Sequence, residues 1–163
     1  MKILCRALLL AGIFGCANLA LYAQGALKLQ NESQQASVSL EALKALTHRT
    51  VTIHNPHENV DETYSGVPLI DLLKQVGAPV GKDVRGKTLA EYVVATGSDG
   101  YKAVLALAEV EPDFHPGDVL VADAMNGKPL DAKTGPFRLV VSDDKRPARS
   151  VRNLVSVELK AAE

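Results

Sequence analysis

Turn dipeptides divide the second half of the chain into short strands. Asp99-Gly100 lies between two β-type runs, residues 89–96 and 101–105, and Asn126-Gly127 follows a third run, residues 119–124. Asp-Gly and Asn-Gly tolerate the positive φ angles of tight hairpin turns, so each dipeptide predicts that its flanking segments are antiparallel neighbours. A chain constrained in this way builds much of its core from a hairpin-linked sheet.

The other predicted elements are short helices and strands. Leucines at 40, 43 and 46 with polar residues between them predict an amphipathic helix, and Ser39 is placed to cap it. Residues 50–54 alternate as a half-buried strand, residues 69–76 predict a second helix, and residues 151–159 alternate as a closing strand. This order predicts the α+β class, a single domain with a mixed, mostly antiparallel sheet and short helices.

The N-terminus has the pattern of an export signal. Residues 1–6 carry two positive charges, residues 7–21 are almost entirely apolar, and a small-residue step ends at Ala23. The apolar run is interrupted by Asn18 and is too short for a spanning helix. Residues 1–23 are therefore predicted to be a signal peptide that directs the protein to the periplasm, with lipoprotein anchoring at Cys16 as the alternative.

Cleavage after Ala23 leaves one domain without cysteine. Cys5 and Cys16, the two cysteines of the chain, lie in the predicted signal, so the mature protein is expected to have neither a disulfide nor a thiolate metal ligand. Residues 24–36 are polar and rich in amides, and are predicted to be a flexible leader. Residues 37–163 are then long enough for one domain with its own core.

Composition and motifs argue against several function classes. The formal net charge is −1, aromatic residues make up 4% of the chain and Trp is absent. These values disfavour a nucleic-acid surface, which needs a basic stripe or stacking rings. The chain has neither a Gly-x-Ser-x-Gly elbow nor a phosphate-binding glycine loop, so its motifs do not favour a hydrolase.

Five short segments carry a family resemblance through their order along the chain. They are residues 64–73 (Tyr-x-Gly-Val-x-Leu-x-Asp-Leu-Leu), 98–101 (Ser-Asp-Gly-Tyr), 126–130 (Asn-Gly-x-Pro-Leu), 135–138 (Gly-Pro-x-Arg) and 149–154 (Arg-Ser-Val-Arg-x-Leu). Together they resemble the molybdopterin-binding domain of the sulfite oxidase family in its small single-domain form. The resemblance implies the fold of that family, with a pterin held in a groove lined by loops.

In that family a cysteine thiolate ties molybdenum to the protein, shortly after the strand equivalent to residues 50–53. Here the region reads Ile53-His54-Asn55-Pro56-His57 and has no thiolate to give. A neutral imidazole differs from a soft, anionic sulfur in charge and electronics, so the sequence favours ligand binding over oxo-transfer catalysis. His54 and Asn55 are expected to line the former metal position, and no native metal site is predicted.

The resemblance includes exported proteins that lack this cysteine, bind a reduced pterin without molybdenum and report it to a membrane signalling protein. Such partners are typically enzymes that make or degrade cyclic dinucleotides. The resulting prediction is a periplasmic sensor for a tetrahydropterin-type ligand, with molybdopterin less favoured as the cofactor. A sulfite oxidase-like oxidoreductase subunit is one alternative, and an interaction module with a vestigial pocket is another.

The resemblance also implies which side chains contact the pterin. A carboxylate at the hairpin turn is suited to the amino and N–H groups of a pterin, a tyrosine to stacking, and guanidinium groups to oxygen atoms. The same residues have ordinary structural interpretations, because Asp-Gly is a common turn and closely spaced arginines are often solvated. Arg149 is expected to contribute more than Arg152. The predicted contacts are His54, Asn55, Asp99, Tyr101, Arg138, Arg149, Ser150 and Arg152.

Overall fold

The chain folds into two five-stranded sheets connected by short helices, and the computed structural model describes residues 25–162. The strands are β1 (Leu27–Gln30), β2 (Gln35–Val38), β3 (Arg49–Asn55), β4 (Val60–Pro68), β5 (Glu91–Gly97), β6 (Lys102–Ala106), β7 (Val119–Met125), β8 (Lys128–Pro129), β9 (Arg138–Val141) and β10 (Leu154–Ala161). The helices are α1 (Leu40–Lys44), α2 (Leu69–Leu73) and α3 (Leu107–Val110), and 3-10 turns span Lys74–Val76, Gly81–Asp83, Gly86–Ala90 and Pro147–Arg149.

The strand order shows how the two sheets are assembled. The first sheet has the order β2-β1-β10-β5-β6; in the second, β3, β4, β7 and β8 are consecutive and β9 also pairs with β7. Among the described residues the β1–β10 pair is parallel and the other pairs are antiparallel. The α+β class with mostly antiparallel pairing is therefore confirmed, although the strands divide between two sheets instead of forming one.

Both predicted hairpins are present. Between β5 and β6, the N–H of Gly97 donates to the carbonyl of Tyr101 at 2.8 Å, which closes the turn at Asp99-Gly100. Between β7 and β8, Asn126 and Gly127 have φ angles of 50° and 74°. A turn with two positive φ angles matches the twist of the flanking strands, which is why Asn-Gly is favoured there.

The predicted helices also form, with one change at the second. Ser39 Oγ accepts the N–H of Ala42 at 3.1 Å and so caps α1 as expected. The second helix is shorter than its apolar pattern, because α2 passes into the 3-10 turn Lys74–Val76. Gly77 then ends the turn in the left-handed region, with a φ of 78°.

The prediction of a flexible leader was wrong for the part of residues 24–36 that the structure describes. β1 and most of β2 lie in this segment, and the side chains of Leu27 and Leu29 are completely buried. β1 lies between β2 and β10, so it is held by a strand from the opposite end of the chain. Polar composition concealed the strand, because only its two alternating leucines enter the core. The predicted signal peptide, residues 1–23, lies outside the described residues.

β7, a strand of the second sheet, packs against apolar residues on both of its faces. Val119 and Val121 pack into the main apolar cluster with α2 and the first sheet, whereas Leu120 and Ala122 pack with Tyr64 on the opposite face. This alternation buries β7 on both faces. None of the helices within residues 25–162 has the length and apolar character needed to cross a membrane.

Candidate functional site

A cavity of about 700 Å³ lies where three connecting segments meet. Volumes of this size are typical of small-molecule sites. The β3–β4 connection, the β5–β6 hairpin and the segment between β9 and β10 supply most of its wall, and β9 supplies one arginine. The lining residues are Pro56, His57, Asp99, Tyr101, Arg138, Arg146, Pro147, Ala148, Ser150 and Arg152.

The hairpin is joined to the opposite wall by Tyr101. Its hydroxyl donates to the carbonyl of Ala148 at 2.6 Å, across 47 residues of sequence. Its backbone N–H donates to Asp99 Oδ1 at 2.9 Å, which fixes the Asp99 carboxylate at the turn. Because the hydroxyl is engaged with Ala148, Tyr101 offers a ligand its half-exposed ring.

Arg138 is the buried cation of the cavity lining, with only 6% of its surface exposed. Nη1 donates to the hydroxyl of Tyr64, and the guanidinium carbon lies 4.7 Å from the centre of the Tyr64 ring. The Tyr64 hydroxyl in turn donates to Glu62 Oε2 at 2.6 Å, and Asn55 Nδ2 donates to Glu62 Oε1 at 2.7 Å. A guanidinium is therefore connected to a buried carboxylate through one tyrosine.

The charge states of Glu62 and Tyr64 follow from this arrangement. Burial alone would raise the pKa of Glu62, but hydrogen bonds from Tyr64 and Asn55 and the charges of Arg138 and Arg152 together lower it. Burial and the hydrogen bond to Glu62 raise the pKa of Tyr64. At neutral pH Glu62 is ionised and Tyr64 keeps its proton, so Tyr64 donates to Glu62 while accepting from Arg138.

Glu62→Gln is expected to lower the free energy of unfolding by about 1–3 kcal/mol near pH 7, because the charge is lost and one of the two accepting oxygens becomes an NH2 donor. Glu62 has a lower pKa in the folded protein, so its contribution is complete above the unfolded pKa and is lost as the pH falls through the folded value. Urea unfolding at about pH 7 and about pH 3 should therefore show a difference between wild type and variant that shrinks in acid. The control is Glu58→Gln, because Glu58 is exposed. If wild type and Glu62→Gln differed in unfolding free energy by the same amount at both pH values, the lowered pKa of Glu62 would be contradicted.

Arg149, which was predicted to contribute more than Arg152, is absent from the cavity lining and binds two carboxylates instead. Nε and Nη2 donate to Asp144 at 2.9 and 2.6 Å, and Nη1 donates to Glu109 at 2.9 Å. These contacts tie the cavity wall to α3. Arg152, three residues further along the chain, lines the cavity in its place.

His54 and Asn55 are likewise absent from the lining. His54 is exposed and contacts Asp61 at 2.9 Å, while Asn55 is committed to Glu62. The next two residues, Pro56 and His57, reach the cavity. In residues 25–162 no group of three His, Cys, Asp or Glu side chains is placed to hold a metal ion. The structure brings together the remaining five predicted residues, Asp99, Tyr101, Arg138, Ser150 and Arg152.

The sequence matches a family profile described as the oxidoreductase molybdopterin binding domain over residues 25–163. The chain belongs to this family. No curated protein matches the chain. The profile begins two residues before β1, so it includes the strand that composition had concealed and covers the whole described domain.

The cavity of this molybdopterin-binding domain suits the organic part of the family's cofactor but not a thiolate-held metal. Its lining combines a carboxylate with arginines and a tyrosine ring, which are groups that recognise a planar heterocycle. The described residues contain no cysteine, and Pro56 and His57 occupy the wall after β3. The donor set lacks the soft anionic sulfur that ties molybdenum to this fold.

Sequence reasoning missed the buried partners of Arg138. In the sequence Tyr64 is marked only as part of the motif at residues 64–73, and Glu62 has no motif signal of its own. Glu62 occupies a buried position of β4, where an unpaired carboxylate is costly. Its spacing of two residues from Tyr64 places both side chains on one face of the strand, and this was the available signal.

Proposed function

We propose that this protein is a periplasmic binding protein for a reduced pterin, held without molybdenum, and that it relays ligand occupancy to a membrane signalling protein. The observation that carries the proposal is the cavity, which combines Asp99 and three arginines in a wall without a thiolate. Export by residues 1–23 would place the protein in the periplasm. The signalling protein would contact it through a periplasmic domain, and an enzyme of cyclic-dinucleotide turnover is the proposed class.

Two kinds of hydrogen-bonding group support a pterin as the ligand. The pyrimidine edge of a pterin presents amino and N–H donors, for which the Asp99 carboxylate is a suitable acceptor. Its carbonyl oxygen is an acceptor, for which Arg138 and Arg152 supply donors. The exposed half of the Tyr101 ring supplies an apolar surface for stacking.

The family match also favours a second function, a subunit of a molybdopterin-dependent oxidoreductase. The wall after β3 argues against it, because His57 would have to replace a thiolate without help from a cluster of ligands in residues 25–162. Both functions share the pterin. The presence of molybdenum separates them.

Purification of the exported protein from its native periplasm under anaerobic conditions tests the proposal. Native mass spectrometry should show a bound mass equal to that of a tetrahydropterin, with molybdenum near zero by elemental analysis. Crosslinking before cell lysis should capture a membrane protein with a periplasmic domain. Stoichiometric molybdenum would establish the oxidoreductase function instead, and protein that neither carries nor takes up a reduced pterin would contradict binding.

Asp99→Asn is expected to weaken tetrahydropterin binding at least about tenfold, since the charge is lost and the second carboxylate oxygen becomes an NH2 group that cannot accept. Asparagine keeps the side-chain oxygen that accepts the Tyr101 N–H, so the hairpin should remain intact. Calorimetric titration measures the affinity. The matched control is Asp113→Asn, which removes an exposed carboxylate outside the cavity lining and should bind as the wild type does. Equal affinities for wild type and Asp99→Asn would remove Asp99 from the site.

A further inference from the structure

Arg138 uses little of its hydrogen-bonding capacity within the protein. A guanidinium has five N–H groups, and among the described residues one hydrogen bond is formed, from Nη1 to Tyr64. Within residues 25–162, Nε is buried without a partner. A buried donor without an acceptor is unfavourable. The guanidinium of Arg138 also lines the cavity, so an acceptor atom of a bound ligand would satisfy it.

The surroundings of Arg138 specify what kind of atom that acceptor is. Glu62 accepts from Asn55 and Tyr64, and the Tyr64 proton is directed to Glu62. None of these three residues lines the cavity, whereas Arg138 does. The part of this network that faces the cavity is therefore the guanidinium of Arg138, which has donors and no acceptor. A hydroxyl or an amino group would bring a proton that has no acceptor here, whereas a carbonyl oxygen only accepts.

The charges around Arg138 favour a neutral carbonyl oxygen over a phosphate as its acceptor. Glu62 lies behind Tyr64 and offsets the charge of Arg138, as its lowered pKa also reflects. A phosphate against Arg138 would therefore lie near a second anion, which is unfavourable in a buried site. The exposed guanidiniums of Arg146 and Arg152 are better placed for an anion.

We propose that Arg138 selects pteridines that carry an oxygen at ring position 4, the pterins, by donating to that carbonyl from the Glu62–Tyr64–Arg138 network. The proposal rests on the proposed function, because it concerns the same cavity. A 2,4-diaminopteridine presents an amino group at position 4 and would place donor against donor. Sites built around a hydrogen bond strongly reject analogues that cannot make it, because buried polar groups are left unpaired.

The test compares two ligands that differ at position 4 and lack phosphate and hydroxyl groups. These are 6-methyltetrahydropterin and its 2,4-diamino analogue, titrated into the full-length protein under anaerobic conditions. The wild type is expected to prefer the 4-oxo compound by about 100-fold, the equivalent of one or two charged hydrogen bonds. Equal affinities would overturn the selection by Arg138 while leaving pterin binding established. Binding of neither compound would overturn both proposals.

Arg138→Gln should abolish the preference, since an amide both donates and accepts. Arg138→Lys keeps a donor-only cation and should keep the preference with lower affinity for both compounds, which covers the case in which the glutamine variant does not fold. Arg146→Gln removes an exposed guanidinium from the same cavity, and the preference should survive. A preference that persists in Arg138→Gln, or disappears in Arg138→Lys or Arg146→Gln, would overturn the proposal.

Discussion

Gly66→Ala is expected to lower the free energy of unfolding by about 3 kcal/mol, at the upper end of what overpacking costs. A Cβ at this position would lie 2.3 Å from the carbonyl oxygen of Val121 and 2.5 Å from the Cα of Ala122. Both atoms are backbone of β7, which is buried on both faces and cannot move aside. The pairing of β4 with β7 shifts register between Ser65 and Gly66. Glycine is required here because the backbone of β7 leaves no room for a Cβ, and not because of a positive φ angle.

Thermal and urea unfolding of the purified protein measure this effect, with a fall in melting temperature of about 10 °C expected for a domain of this size. Gly25→Ala is the matched control, because a Cβ there meets nothing within 4 Å. That substitution should be neutral or slightly stabilising, since alanine restricts the unfolded chain. A Gly66→Ala protein as stable as the wild type would contradict the close approach of β4 and β7.

Arg149→Met is expected to weaken tetrahydropterin binding about 30-fold, although Arg149 does not line the cavity, because an unfixed wall must be ordered when the ligand binds. The guanidinium connects Asp144 and Glu109, and the wall residues from Arg146 to Ala148 lie in the short segment between Asp144 and Arg149. Arg149 is thus a positioning residue for the proposed binding site. Calorimetric titration measures the change in affinity.

Hydrogen exchange separates this positioning role from direct contact. In the ligand-free Arg149→Met protein, amides of residues 144–149 should exchange faster, while those of β7 should be unchanged. Arg149→Lys keeps the charge but not the two-pronged contact with Asp144, and should restore only part of the affinity. Lys145→Gln removes a neighbouring exposed charge and should bind normally. Unchanged exchange in Arg149→Met together with full affinity would contradict the positioning role.

Local signals in the sequence predicted the elements that depend on nearby residues. The turns at Asp99-Gly100 and Asn126-Gly127 and the cap at Ser39 each need residues within a few positions of each other. Ordered motifs predicted the family, which the match over residues 25–163 confirms. These motifs also predicted that Arg138 is a site residue, but not that Tyr64 and Glu62 position it.

The outcomes that sequence reasoning missed depend on residues far apart in the chain. Leu27 and Leu29 are ordered by β10, more than a hundred residues away, so polar composition gave a wrong prediction for their segment. Arg149 was expected to contribute more than Arg152, yet its guanidinium is held by the nearby Asp144 and by Glu109, which is 40 residues distant. Spacing alone does not report where a side chain in a turn points.

The sequence by itself determined the strand pairing at its hairpins, the capped helix, the family and the absence of cysteine from residues 17–163. The tertiary structure alone decided which polar groups meet in the cavity. Arg138 and Tyr64 are 74 residues apart, and Tyr101 and Ala148 are 47 apart. Short-range backbone preferences act within a turn or a strand, whereas a buried charge is placed by partners that only the complete fold brings together.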